Sequence, residues 1–234
     1  MIPKITIITV NYNREKYLSR TIESVLNQSE KDFEYILWDD GSVDSSLGII
    51  SKYAKQDSRI KTHFRSWQGA WFSTNDAIEF AKGKYVGWVD SGDYLHQHCL
   101  RMCNFILSCT DRIGLVYTNH EVVTEDETNL GLGHQCAIPY FRRCLLLTYM
   151  TYQFKLFRKD LYQHVGGIDI GLKWAFDYDL CLKLSEATEF YHVEKVLYYQ
   201  RQYSTLNTQS EEQRQIYYAH QARRNAILRR GYEA

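Results

Sequence analysis

Near-continuous apolar runs rich in β-branched residues alternate with amphipathic stretches over the first half of the chain. Ile5–Val10 is such a run and predicts a strand buried on both faces. Over Glu15–Gln28, Leu18, Ile22, Val25 and Leu26 recur at helical spacing. Phe33–Trp38 reads as a second buried strand; Ile49, Ile50 and Tyr53 mark the inner face of a helix; Ile60–Phe64 reads as a third strand. A helix near Trp71–Ala81, stopped by Gly83, leads into a fourth strand at Tyr85–Val89. Strands and helices alternating in this way predict an α/β fold of right-handed crossovers with a mostly parallel central sheet flanked by helices.

The second half is less regular. Leu100–Leu107 is predicted as helix, Ile113–Tyr117 as strand and Glu121–His134 as a polar, glycine-containing loop. Helical signals cover Arg142–Tyr149, Lys159–His164 and Asp179–Glu186, and Val196–Gln202 reads as extended. A last helix spans Glu211–Arg230, with Ile216, Ala219, Ala226 and Ile227 as its apolar side. No repeat or linker-like stretch interrupts the 234 residues, so the expectation is one domain.

Lys+Arg and Asp+Glu are 28 each, a balance that counts against a nucleic-acid binder relying on a basic face. No window reaches the roughly 18 apolar residues of a membrane span. The apolar run after Lys4 ends in Asn11–Tyr12–Asn13, unlike a secretory signal. A cytoplasmic location is therefore expected, where Cys99, Cys103, Cys109, Cys136, Cys144 and Cys181 stay reduced. Cys99 and Cys103 lie one helical turn apart near His96 and His98, but no second ligand pair stands at zinc spacing. Arg223–Arg224 and Arg229–Arg230 suit a helix C-terminus, where the dipole favours cations. Contact with anionic lipid at the inner face of the membrane is the alternative.

Ligands of open α/β sheets bind beyond the carboxyl ends of the strands. Three of the expected strands end in polar groups: Thr9–Asn13, Asp39–Asp40 and Asp90–Asp93. Carboxylates repel phosphates directly but hold them through a hard divalent cation, and they accept hydrogen bonds from base N–H or ribose hydroxyl groups. One such cluster is also ordinary turn chemistry; three at successive strand ends point to a nucleotide. The chain carries no G-x-G-x-x-G, no G-x-x-x-x-G-K-[ST] and no G-x-S-x-G, which removes the usual dinucleotide, P-loop and hydrolase signatures.

As a set, the motifs resemble family 2 glycosyltransferases of GT-A fold. The segments that carry the resemblance are Ile7–Arg14, Ser24–Gln28, Asp32–Glu34 leading to Asp39–Asp44, Gly69 with Asn75, Ala81–Tyr85 leading to Asp90–Asp93, Val165–Asp169 and Asp177–Leu184. The resemblance implies an inverting, metal-dependent transfer of a sugar from a nucleotide-diphosphate sugar to a glycan, lipid-linked or protein acceptor. Residues 1–110 would bind the donor and residues 111–234 the acceptor. It implies that Thr9, Tyr12, Asp39, Asp40 and Asp90 bind the donor nucleotide, with Asp40 on a uracil N–H, and that Asp93 holds Mn2+ or Mg2+. Asp177 falls at the family's general base, while Gly166, Gly167, Trp174 and Asp179 fall on its acceptor and sugar side. Four positions depart from the pattern: Gly92 replaces the acid before the metal ligand, Phe176 a glutamate, Thr74 an arginine, and Tyr203 a histidine following Arg201. A non-catalytic nucleotide- or glycan-binding module is the rival reading.

Overall fold

The computed structural model describes residues 2–203 and 209–232. The first half runs β1 (Ile5–Asn11), α1 (Glu15–Leu26), β2 (Phe33–Asp39), α2 (Ser46–Gln56), β3 (Ile60–Phe64), α3 (Ala70–Phe80) and β4 (Tyr85–Trp88). A short β5 (Tyr94–Leu95) and α4 (Cys99–Cys109) follow. The second half runs β6 (Ile113–Val123), β7 (Asn129–Leu132), β8 (Lys155–Arg158), α5 (Lys159–His164), α6 (Phe176–Ala187), β9 (Glu189–Arg201) and α7 (Gln209–Arg229). All nine strands form one sheet of order β3-β2-β1-β4-β8-β6-β9-β5, with β7 paired to β6.

Alternation along β1 sends Ile5 and Ile7 to one face and Ile8 to the other, and all three are fully buried. Such a strand needs cover on both sides. Leu18, Ile22 and Val25 of α1, Ile50 of α2 and Leu100, Cys103 and Leu107 of α4 close over Ile5 and Ile7. Ile78 of α3, Leu180 and Leu184 of α6 and Ala222 and Ala226 of α7 close over Ile8 and Ile36. Cys99 and Cys103 serve here as small buried hydrophobes of α4.

Strands β3, β2, β1 and β4 are parallel, as their crossover helices require. Beyond β4 the directions mix: β8 is antiparallel to both β4 and β6, and β6 is parallel to β9. Several local expectations give way here to long-range pairing. Strand β6 continues past Tyr117 to Val123 because Asn119–Val123 find partners in β9, so the loop expected at Glu121–His134 is partly strand and includes β7. The helix expected at Arg142–Tyr149 is only a 3-10 turn at Cys144–Leu146. Strand β8 had no prediction, and β9 begins at Glu189 rather than Val196.

The arginines near the C-terminus dock α7 onto α6. Arg229 and Arg230 both pair with Glu186, Arg229 also reaches Asp179, and Arg230 donates to the carbonyls of Arg142 and Leu182. Docking thus engages Arg229 and Arg230, while Arg224 is exposed. No described helix is long and apolar enough to cross a membrane.

Candidate active site

A cleft of about 1940 Å³ opens at the carboxyl ends of β1, β2 and β4 and is closed on the far side by the segment 173–178 and α7. One wall is built by turns that immediately follow parallel strands. Asp40, just past β2, is buried, and its carboxylate accepts from Gln68 N (3.2 Å), Gly69 N (2.9 Å) and Ser73 Oγ (2.7 Å). A carboxylate offers about four acceptor positions, so one remains for a ligand. Tyr12 lines the same wall, its ring 6.3 Å from that of Trp67.

Asp39 and Thr9 are not among the residues lining the cleft. Asp39 caps its own turn, accepting from Gly41 N, Ser42 N, Ser42 Oγ and Asn11 Nδ2. Such Asx-type bonding makes the turn that carries Asp40. The Thr9 hydroxyl donates to Val89 O and accepts from Tyr35, which ties β1 to β4 inside the sheet.

The loop after β4 brings Asp90 and Asp93 into the cleft. Asp90 is exposed in the cleft and accepts from Gln153 at 3.3 Å; desolvation within the cleft, together with the Asp177 charge, raises its carboxyl above the usual range against the pull of Lys155. Asp93 accepts from Tyr198 Oη (2.7 Å) and Arg201 N (2.8 Å). Burial, joined by the Asp90 charge, pushes Asp93 up to about 8. A carboxylate raised by burial and by a neighbouring carboxylate gains from a cation that offsets both. Among the described residues no three His, Cys, Asp or Glu side chains converge on a metal-binding point.

Asp177 stands in the first turn of α6, half-buried on the opposite wall. Tyr149 Oη donates to its Oδ2 at 2.7 Å, and Lys155 Nζ lies 3.9 Å from the same oxygen. Lys155 is itself buried on β8 and donates to Tyr149 Oη (2.9 Å), Thr151 O (3.3 Å) and Tyr152 O (2.5 Å). Sequence reading missed this lysine. Its signal was a charged residue inside the apolar run Phe154–Phe157, a position where lysine is almost never buried without a specific partner.

Of the acceptor-side expectations, Trp174 lines the cleft, its ring 6.2 Å from that of Trp71. Gly166 and Gly167 do not. Their φ values of 81° and 65° close the end of α5, where Gly166 N and Gly167 N bond to Gln163 O and Tyr162 O. Asp179 is fully buried and faces away, paired with Lys183 at 2.9 Å and Arg229 at 3.5 Å. It anchors α6 to α7.

A mixed sheet with polar turns at the ends of its parallel strands and a carboxylate across the cleft is an arrangement of the ligand-binding α/β class. The model of the family described as "Glycosyl transferase family 2" matches residues 6–166, and the chain belongs to that family. It is 32% identical to the chondroitin synthase of Pasteurella multocida (strain Pm70) over 198 residues, covering 84% of this chain and 20% of that protein. The chain thus spans about a fifth of that relative's length. The crystal structure of S. aureus TarS 1-349 in complex with UDP-GlcNAc superposes with a TM-score of 0.75 at 20% identity, covering 96% of this chain and 66% of that one. The mannosyltransferase PcManGT from Pyrobaculum calidifontis, in complex with GDP-Man and Mn2+, gives 0.70 at 13% identity, covering 97% and 65%. The fold is therefore that of GT-A glycosyltransferases.

Proposed function

We propose that this chain is a metal-dependent, inverting glycosyltransferase domain that moves a sugar from a UDP-sugar to a hydroxyl of a glycan, lipid-linked or protein acceptor. The observation that carries the reading is the opposition, in one cleft, of the Asp90–Asp93 pair and an Asp177 held by Tyr149. Residues 1–110 serve the donor and residues 111–234 the acceptor.

The free acceptor position of Asp40 suits the N–H of a uracil, with Tyr12 and Trp67 as aromatic walls. A neighbour of the same fold crystallised with UDP-GlcNAc supports this choice, although another carries GDP-Man. Asp93, with Asp90 beside it, would hold Mn2+ or Mg2+ against the diphosphate, where the cation supplies positive charge for the departing UDP. Asp177 takes the proton of the acceptor hydroxyl while that oxygen bonds to the anomeric carbon on the face opposite UDP. The bond from the anomeric carbon to the diphosphate oxygen breaks in the same displacement, which inverts the centre. The dipole at the start of α6 favours the ionised carboxylate a base needs. Tyr149 fixes its direction.

Incubating the protein with UDP-sugars, manganese and oligosaccharide acceptors, and measuring UDP release, tests the reading. Release that depends on both acceptor and manganese is expected. Tight UDP binding with no release under any acceptor would favour the non-catalytic module, the reading that Tyr203 in place of a histidine and Thr74 in place of an arginine favour.

A further inference from the structure

Two departures from the family pattern, Gly92 and Tyr203, meet in the cleft. A Cβ built on Gly92 would lie 1.5 Å from Tyr203 Oη and 2.9 Å from its Cζ. No side chain can stand at position 92 while Tyr203 keeps its place, since real packing excludes such an approach. The two substitutions are therefore one change, in which a phenol fills the room of a missing side chain.

The ring is held from both sides. The Arg14 guanidinium carbon stacks 4.5 Å from its centroid, and the Tyr17 ring lies 5.4 Å away. Arg14, Gly92 and Tyr203 line the cleft together with Asp90 and Asp93. No hydrogen bond joins the Tyr203 hydroxyl to another described residue. The nearby Arg201 guanidinium is already spent on the carbonyls of Gly92, Thr124 and Glu125 and on Glu127. Beside the carboxylates of Asp90 and Asp93, the phenol and Arg14 offer donors to an anionic ligand.

We propose that Tyr203, seated over Gly92, is a diphosphate clamp: its hydroxyl donates to a phosphate oxygen of the bound nucleoside diphosphate, and the Arg14 stacked on its ring adds positive charge. The inference rests on the reading of the cleft as a nucleotide-sugar site. Its chemical sense is that a neutral donor stands beside Asp90 and Asp93, where it can meet a phosphate oxygen directly. Part of the work of holding the diphosphate thereby passes from the cation to the protein.

Calorimetric titration with UDP and with uridine, in manganese, tests this on the wild type, Tyr203→Phe, Gly92→Ala and the double variant. Tyr203→Phe keeps the ring stacking and loses only the hydroxyl, so UDP affinity should fall about tenfold, the scale of a hydrogen bond to a charged group. Uridine affinity should not change. Gly92→Ala should displace the hydroxyl and weaken UDP comparably, and the double variant should be no worse than the weaker single one, because both remove the same contact. Melting curves of Tyr203→Phe matching the wild type would show that folding is intact. A wild type that binds UDP and a Tyr203→Phe that binds it equally well would overturn the clamp alone. Multiplying losses in the double variant would break the link between the two residues. A wild type that binds no UDP would overturn both the clamp and the nucleotide-sugar reading.

Discussion

On the donor side, β1, β2 and β4 run parallel and each delivers its polar residues through the turn that directly follows it, within a few residues of the strand. On the acceptor side, Asp177 is placed by contacts that are remote in sequence: Tyr149 lies 28 residues away, and Lys155 arrives on β8, antiparallel to both its neighbours. One wall is made by local turn chemistry on a regular scaffold. The other is made by side chains that meet only when the mixed part of the sheet has formed. Changes on the donor wall should therefore act through ligand binding, and changes on the acceptor wall through turnover.

The largest effect expected short of losing the base is at Asp93. Asp93→Ala should abolish the manganese-dependent part of UDP binding and lower turnover with it, by about a hundredfold or more, the scale on which a metal stabilises a developing charge. Cys103→Ala, in the core behind the site, should leave the manganese response intact. Manganese-dependent binding that survives in Asp93→Ala would move the cation elsewhere.

Next in size is Lys155→Met, which removes the donor shared by Tyr149 and two carbonyls. Leaving those buried acceptors unpaired should cost about 1–3 kcal/mol of stability, read as a lower denaturation midpoint. Turnover should fall while UDP affinity holds. A loss confined to UDP affinity would place Lys155 on the donor wall and contradict the division.

The pH response sharpens the assignment of Asp93. An acid raised from 3.8 to about 8 in the fold stabilises the folded chain at low pH and loses that advantage as pH climbs through about 8. The cation-free protein should thus melt lower at about pH 8.5 than at about pH 6.5 through this group. Manganese should raise the melting temperature more at the higher pH, where it displaces no proton. Asp93→Asn should flatten both trends, and an unchanged profile in that variant would assign them to another group.

The smallest effect expected is at Thr9. Thr9→Val removes a bridge between β1 and β4 that costs about 1 kcal/mol to lose, and UDP affinity should not move. Weaker UDP binding in a stable Thr9→Val protein would return Thr9 to the base pocket.

The parallel half was legible because its signals are local. Ile5–Val10, Phe33–Trp38 and Ile60–Phe64 are apolar runs bounded by turn residues, and the strands observed match them to within a residue. At Asp39 and Thr9 the same locality is less telling: a polar residue at a strand end serves the turn or the sheet as readily as a ligand, and here both side chains bond within the fold. In the other half, Glu121–Val123 is polar enough to read as loop, yet the long ladder with β9 makes it strand. The resemblance singles out Asp177, whereas Lys155 and Tyr149 carry no such signal, since they meet it through a contact that periodicity does not encode. The glycines at 166 and 167 read as ligand-facing but finish a helix, a use that depends on φ rather than on residue type.

The central claim, that donor binding and proton removal sit on separate walls, is tested most directly by Asp177→Asn. Asparagine keeps the size of the side chain and can still accept from Tyr149, but it cannot take a proton. UDP affinity in manganese, measured by calorimetry, should stay within about twofold of wild type, while turnover in the same preparation falls by about 10²–10⁴-fold, the usual worth of a general base. Turnover near the wild-type level in Asp177→Asn, with a folded Asp179→Asn inactive, would contradict the account and place the base on the far side of α6.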